Sequence, residues 1–204
     1  MSLLNKQQLD QLASAVSKVE EKTDAELVTV LARTSDSYLY IPTLWAALVA
    51  LLTPGLLSFS PLWLGWFELI IVQASVFSGL ALLFRIPALR YRLVPAKVKK
   101  SRAEMMARRM FLEQGLHHTK GETGILIFVS EAEHYVEILV DRGISEKIDN
   151  QVWQNIVNDF TAEVKAGAVL KGFETCIASV ADVVSEVVPA TEEKNELPDR
   201  LVVL

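Results

Sequence analysis

The sequence predicts an α/β domain that is interrupted by a hairpin of two transmembrane helices. The chain has 204 residues, of which 51% are hydrophobic, and its apolar residues are very unevenly distributed. Residues 37–84 contain a single charged residue, Glu68. On both sides of this block, short apolar runs typical of buried strands alternate with apolar residues at helical spacing. The length suffices for one domain with an appendage, and abundant Leu and Val exclude a disordered chain.

The apolar block of 48 residues is too long for one membrane crossing, which takes about 20 residues of helix. It divides at residues 58–61, where a proline follows two serines and would break a helix. We therefore expect a transmembrane hairpin over residues 38–84, with helices over about 40–57 and 65–84. A chain this short could not cover two helices that are apolar on every side. Ala46 and Ala50 in the first helix, and Ser75 and Gly79 in the second, would let the two backbones approach closely.

The charges that flank the hairpin predict its orientation. Nine basic residues and one acidic residue, Glu104, lie between Arg85 and Arg109, whereas the turn of the hairpin carries no charge. By the positive-inside rule the basic side is cytoplasmic, and an even number of crossings places both termini there. We expect a multi-pass protein of the inner membrane without a signal peptide, because residues 1–22 are polar. The basic residues expected to contact lipid headgroups are Arg85, Arg90, Arg92, Lys97, Lys99 and Lys100.

Before the hairpin, the sequence predicts one helix and one strand. Asn5 and Gln8 form a capping box at the start of an amphipathic helix. Glu26–Ala32 is a strand that is apolar on both faces. A lone strand cannot satisfy its backbone, so it must pair with strands that follow the hairpin.

After the hairpin come a basic helix from Ala96 to Gly115, strands over 124–129 and 135–140 joined as a hairpin, and two helices. Asp149 caps the first of these helices and Gly167 ends it, and Pro189 ends the second. The chain thus divides into a split cytoplasmic domain of residues 1–36 and 96–188, the transmembrane hairpin, a basic juxtamembrane segment and helix over 85–110, and an acidic tail over 189–204. We expect this tail to be flexible, with Leu201–Leu204 able to dock.

Two stretches of the soluble segments carry a family resemblance. Residues 111–145, FLEQGLHHTKGETGILIFVSEAEHYVEILVDRGIS, resemble the TPM domain family, as do residues 22–28, KTDAELV. Residues 195–199, NELPD, look like the ending of its membrane-inserted bacterial branch. The resemblance implies a three-layer α/β/α sandwich around a small mixed sheet. Acid phosphatase activity, divalent-metal binding and accessory roles in membrane complexes are attributed to relatives. Many relatives are secreted, with a signal peptide and a C-terminal membrane helix, and this sequence departs from that plan.

The residues themselves offer few catalytic signatures. The chain has no Gly-rich phosphate loop and no HExxH or GxSxG motif, and its one cysteine, Cys176, excludes a disulfide framework. His117, His118 and His134 lack the spacing of a transition-metal site. The acidic carboxyl-terminal half opposes nucleic-acid binding.

Two acidic sets could bind a cation. Asp141, Glu146 and Asp149 follow a strand and could gather calcium or magnesium, or Asp149 could cap a helix while Asp141 binds turn amides. A second set, at the opposite strand ends, consists of Asp36, Ser130, Glu131 and Glu133.

The sequence leaves two functions open. The favoured one is a membrane-tethered interaction or accessory module whose partners are the lipid bilayer and another membrane protein. The alternative is a metal-dependent phosphatase that uses Asp141 and Asp149.

Overall fold

The computed structural model describes residues 4–20, 22–61, 63–191 and 200–204. The chain divides into two compact units, one formed by residues 1–35 and 100–204 and the other by residues 36–99. The first unit is an α/β domain and the second is helical.

The α/β unit is built on a mixed four-stranded sheet. In chain order the strands are β1 (Glu26–Ala32), β2 (Gly124–Ser130), β3 (Tyr135–Val140) and β4 (Arg200–Val203), and their spatial order is β3-β2-β1-β4. β1 pairs in parallel with β2 and β4, whereas β2 and β3 form an antiparallel hairpin. The predicted pairing of the first strand with strands beyond the apolar block is therefore confirmed. The sequence left docking of Leu201–Leu204 open, and β4 pairs with the edge of β1. Residues 192–199 of the predicted flexible tail lie outside the described residues.

Helices cover both faces of this sheet. α1 (Lys6–Glu20), α7 (Asn150–Lys165) and α8 (Val169–Ser185) pack on one face, and α5 (Ala96–Glu113) packs on the other. The side chains of β1 alternate between these layers, since Leu27 and Leu31 face the first and Val28 and Val30 face the second. The three-layer α/β/α sandwich implied by the resemblance is confirmed.

Local signals in the sequence fix the helix ends of this unit. Asn5 Oδ1 accepts the N–H of Gln8 and Gln8 Oε1 accepts the N–H of Asn5, both at 2.9 Å, as expected of a capping box. Gly167 follows α7 with a φ of 83°, a left-handed conformation that costs a glycine little. α6 is a single turn over Arg142–Ser145, and Leu116–His118 form a 3₁₀ turn that the sequence did not predict.

The helical unit consists of α2 (Tyr40–Leu57), α3 (Trp66–Leu83) and the short α4 (Pro87–Leu93). α2 and α3 are each long and apolar enough to cross a membrane. The one charge of the apolar block has a local role, because Glu68 Oε2 accepts the N–H of Gly65 at 2.8 Å at the start of α3. Tyr38 is buried near α4, where its ring meets that of Tyr91 edge to face.

The expected contact through small residues is correct for only one of the two helices. Ala46 and Ala50 of α2 are buried. Ser75 and Gly79 of α3 are exposed, and no atom lies within 4 Å of a Cβ added at Gly79. The half-buried side chains of α3 recur at helical spacing on another face of the helix, at Leu69, Val72, Gln73, Val76 and Leu80. α3 therefore uses larger side chains than predicted against α2.

Candidate functional site

A polar cluster lies where the parallel strands β1 and β2 end. The carboxylate of Glu133, in the β2–β3 turn, accepts a hydrogen bond from Thr34 Oγ1 at 3.2 Å and one from the backbone N–H of Ser35 at 3.1 Å. It also accepts a hydrogen bond from Ser130 Oγ. Ser35 Oγ donates in turn to Ser130 Oγ at 3.0 Å. Ligands of α/β sheets commonly bind at the carboxyl ends of parallel strands, so this cluster is a candidate site.

The cluster contains part of the second acidic set that the sequence analysis identified at the strand ends. The structure brings Ser130 and Glu133 together, whereas Asp36 belongs to the helical unit, where its Oδ1 accepts the N–H of Tyr38 at 3.3 Å. Sequence reasoning missed Thr34 and Ser35. Their position directly after β1 was the available signal, because parallel strands end at the same edge of a sheet.

A cavity of about 230 Å³ adjoins this cluster, between the β2–β3 turn and the end of α7. Phe160 and Val164 give it an apolar wall, and Lys165 and His134 supply nitrogen donors. His134 has a φ of 51°, which places it in the left-handed region at the tight turn before β3.

The acidic loop presents three carboxylates, each engaged within its own short segment. Asp141 Oδ1 accepts the N–H of Arg142 at 2.8 Å at the start of α6. Arg142 Nε donates to Glu146 Oε1 at 2.7 Å on the exposed surface. Asp149 Oδ1 accepts the N–H of Gln151 at 2.7 Å and caps α7, as the structural interpretation of the sequence expected.

This arrangement does not fit a multidentate cation site. In the residues that the structure describes, no group of three or more His, Cys, Asp or Glu side chains could hold a metal ion. The hard cations calcium and magnesium take several oxygen ligands at once. Asp141 Oδ2 is nevertheless shielded from solvent and has no hydrogen-bond partner.

A third polar site lies on β3. The hydroxyl of Tyr135 donates to Glu137 Oε2 at 2.9 Å on the face of the sheet that α5 covers. Burial raises the pKa of Glu137 above its ordinary value, although the hydrogen bond from Tyr135 acts in the opposite direction. Burial and the neighbouring Glu137 together raise the pKa of Tyr135. On α5, the charge of Glu104 raises the pKa of both groups and the charge of Arg108 lowers it.

The cysteine and two of the histidines pack against protein groups. Cys176 is buried in the core, and burial raises the pKa of its thiol to about 12. The rings of His117 and His118 pack against each other with their centroids 3.8 Å apart.

The basic residues expected at lipid headgroups lie on three elements. Arg85 follows α3, Arg90 and Arg92 lie on α4, and Lys97, Lys99 and Lys100 lie on the first turns of α5. The guanidinium of Arg90 lies 5.1 Å from the centre of the Tyr91 ring. Lys100 Nζ lies 3.8 Å from Glu104 Oε1 in a solvent-exposed pair, which contributes little to stability.

Comparison with known proteins supports the resemblance. The model of the TPM domain matches residues 92–183, which run from the end of α4 into α8. The NMR structure of BA42 protein from the psychrophilic bacterium Bizionia argentinensis is similar, with a TM-score of 0.61 and 15% sequence identity. The match covers 98% of this chain and 94% of that one, and at this identity it shows a common fold. No curated protein matches the sequence.

Proposed function

We propose that this protein, whose residues 92–183 match the model of the TPM domain, is a membrane-tethered module that binds another membrane protein from the cytoplasmic side. The α/β unit would be the binding part, and the helical unit would be the anchor. The observation that carries this proposal is the exposure of the two apolar helices.

No residue of α3, all of which the structure describes, is buried, and in α2 only Ile41, Pro42, Ala46 and Ala50 are. The side chains of Leu44 and Phe67 are each about three-fifths exposed, at 59% and 60%. Monomeric soluble proteins rarely expose so much contiguous apolar surface, whereas a bilayer would cover it. The aromatic residues Trp63 and Trp66 fall near the turn between the helices, where a membrane-spanning hairpin would meet the headgroup region.

The distribution of charge supports the cytoplasmic orientation. The basic residues from Arg85 to Lys100 follow α3 directly, and the turn before α3 carries no charge. Lys and Arg are retained on the cytoplasmic side and attract anionic lipid headgroups there.

Two measurements test the anchor. Replacing residues 38–84 by a Gly/Ser linker should move the chain from the membrane fraction to the soluble fraction. In a Cys176→Ala background, an impermeant thiol reagent should label Ser60→Cys on intact cells and label Ser2→Cys only after permeabilisation. Labelling of Ser2→Cys alone on intact cells would show that the orientation is the reverse of the proposed one. A linker variant that still sediments with membranes would show that residues 38–84 are not the anchor.

The second candidate function is a metal-dependent phosphatase, and one observation favours it. Asp141 Oδ2 has no hydrogen-bond partner, so it could accept a cation without losing a protein contact. On this hypothesis, calorimetric titration with calcium or magnesium gives binding that Asp141→Asn abolishes, together with metal-dependent release of phosphate. On the binding hypothesis, Asp141→Asn changes neither quantity.

A further inference from the structure

The outer edge of β3 offers unpaired main-chain groups. β3 is at one end of the sheet, and no strand among the described residues pairs with its outer side. The N–H of Asp141 binds the carbonyl of Gly124 at 2.9 Å, which fixes the hydrogen-bonded positions of the β2–β3 ladder. Since such positions alternate along an antiparallel pair, the N–H and C=O groups of Val136, Ile138 and Val140 point away from β2.

This edge lies at the bottom of a groove within the α/β unit. Lys100 and Glu104 of α5 form one wall, and Trp153, Gln154 and Val157 of α7 form the other. The groove has a volume of about 350 Å³ and is lined mainly by polar groups. Its two walls stand on opposite faces of the sheet, so an added strand would lie between them in the plane of the sheet.

Trp153 in the α7 wall also carries an indole N–H that no described protein group satisfies. Trp153 is only 5% exposed, and its indole Nε1 has no hydrogen-bond partner in the structure. A buried N–H that gains no hydrogen bond is unfavourable, so an acceptor from a bound molecule would be favoured there. A peptide carbonyl is such an acceptor.

We propose that this groove binds an extended peptide segment of a partner protein, which pairs with β3 as a fifth strand of the sheet. The proposal rests on the binding role proposed above and names the binding surface and the form of the partner. The main-chain groups of β3 would supply affinity, and the two walls would select side chains, as in other cases of strand addition.

The walls predict an alternating pattern in the bound segment. Side chains on the α5 side would meet Lys100, Glu104 and Glu137, and the two carboxyl groups favour a neutral hydrogen-bond donor such as Ser, Thr or Asn. Side chains on the α7 side would meet the indole of Trp153 and Val157, which favour apolar residues. Successive residues of a strand face opposite sides, so donor and apolar residues should alternate.

A segment of another protein fits this groove better than the β3 edge of a second copy. Permanent homodimer interfaces are mostly apolar, whereas Lys100, Glu104, Glu137 and Gln154 make this lining polar. Charged and polar groups along an edge strand also oppose pairing between identical edges.

The test uses the full-length chain in lipid nanodiscs and a phage-displayed library of random ten-residue peptides. We expect recovered peptides to show the alternating pattern. Ile138→Pro removes one outward N–H without touching the ladder to β2, and it should weaken binding at least tenfold. Trp153→Phe removes the indole donor but keeps an aromatic side chain, and it should weaken binding several-fold. Trp66→Phe, in the helical unit, is the matched control and should bind like the parent.

Three results would overturn the proposal: no peptide is recovered, recovered peptides bind Ile138→Pro and Trp153→Phe as well as the parent, or the chain dimerises through β3 instead. Amide exchange of β2 checks that each variant keeps its sheet, and if Ile138→Pro fails that check, Trp153→Phe decides the outcome. Failure here is distinguishable from failure of the proposed function. Chain that leaves the membrane fraction but still binds peptide would contradict only the anchor. Membrane-bound chain that forms a complex without using the groove would contradict only this surface.

Discussion

Removing β4 should destabilise the sheet at its central strand. Deletion of residues 200–204 strips β1 of one of its two neighbours, from Val28 to Leu31 in the observed register. It also removes two backbone hydrogen bonds of 3.0 Å, from Arg33 N–H to the carbonyl of Leu204 and from Leu204 N–H to the carbonyl of Leu31.

The size of this effect can be worked from the contacts. The two hydrogen bonds of Leu204 together contribute about 2 kcal/mol. Leu201 and Val202 are each half-buried against opposite faces of the sheet, and they contribute about 1 kcal/mol each. The sum of about 4 kcal/mol is a large part of the stability of an ordinary domain. Since about 1.4 kcal/mol corresponds to a factor of ten, amides of β1 should exchange about a thousandfold faster.

The assay is hydrogen exchange followed by mass spectrometry on the full-length chain and the truncated chain in the same nanodiscs. Val203→Thr is the matched control, because its side chain is 49% exposed and its main chain can still pair with β1. The control should change the exchange of residues 26–32 by less than threefold. If the truncated chain protects these residues as well as the parent does, β4 contributes nothing and the reasoning fails.

Three further variants test the surroundings of the sheet. Asp149→Ala should lower the free energy of unfolding by about 1 kcal/mol in chemical denaturation, whereas Asp149→Asn should be nearly neutral, because asparagine also caps a helix. The folded state holds the proton of Glu137 more tightly than the unfolded state, so the parent should lose stability as the pH rises from the ordinary pKa of a glutamate through the raised pKa of Glu137. Glu137→Gln should abolish this loss. Gly143→Ala should prevent α6 from docking, because an added Cβ would lie 2.2 Å from the carbonyl oxygen of Gly121, and its thermal unfolding should occur at a lower temperature.

Each of these expectations has a contrary outcome. Equal stability of Asp149→Ala and Asp149→Asn would exclude a capping role. Parallel pH profiles for Glu137→Gln and the parent would exclude titration of Glu137 as the cause. An unchanged unfolding temperature for Gly143→Ala would show that the backbone at residue 121 can move aside.

Periodicity and capping signals predicted most of the fold. β1, β3 and α2 have the predicted bounds, because each apolar run ends abruptly at polar or turn-forming residues. The pairing of β1 with a strand beyond the apolar block followed from the need to satisfy a lone strand. Asn5 and Asp149 were recognisable as caps because capping depends on residues only two or three positions apart.

Long-range partners could not be predicted in the same way. β4 has only four residues, and its partner β1 lies far away in the sequence. No residue near β4 therefore indicates which strand it pairs with. The cluster around Glu133 joins the end of β1 to the β2–β3 turn through Thr34 and Ser35, and only the folded sheet brings them together. The missing hydrogen bond of the Trp153 indole likewise could not be predicted, because the sequence pattern indicates only an apolar position of a helix.

The place of β1 at the centre of the sheet also governs the order in which the protein can be made. The ribosome synthesises β1 before α2 and α3, and synthesises both of its neighbours, β2 and β4, after them. Under the proposed topology the two apolar helices enter the bilayer while β1 still has no partner on either side. On that topology, insertion would precede folding of the α/β unit, and a chain that stalls before residue 124 would present an apolar strand with two open edges to proteases and chaperones.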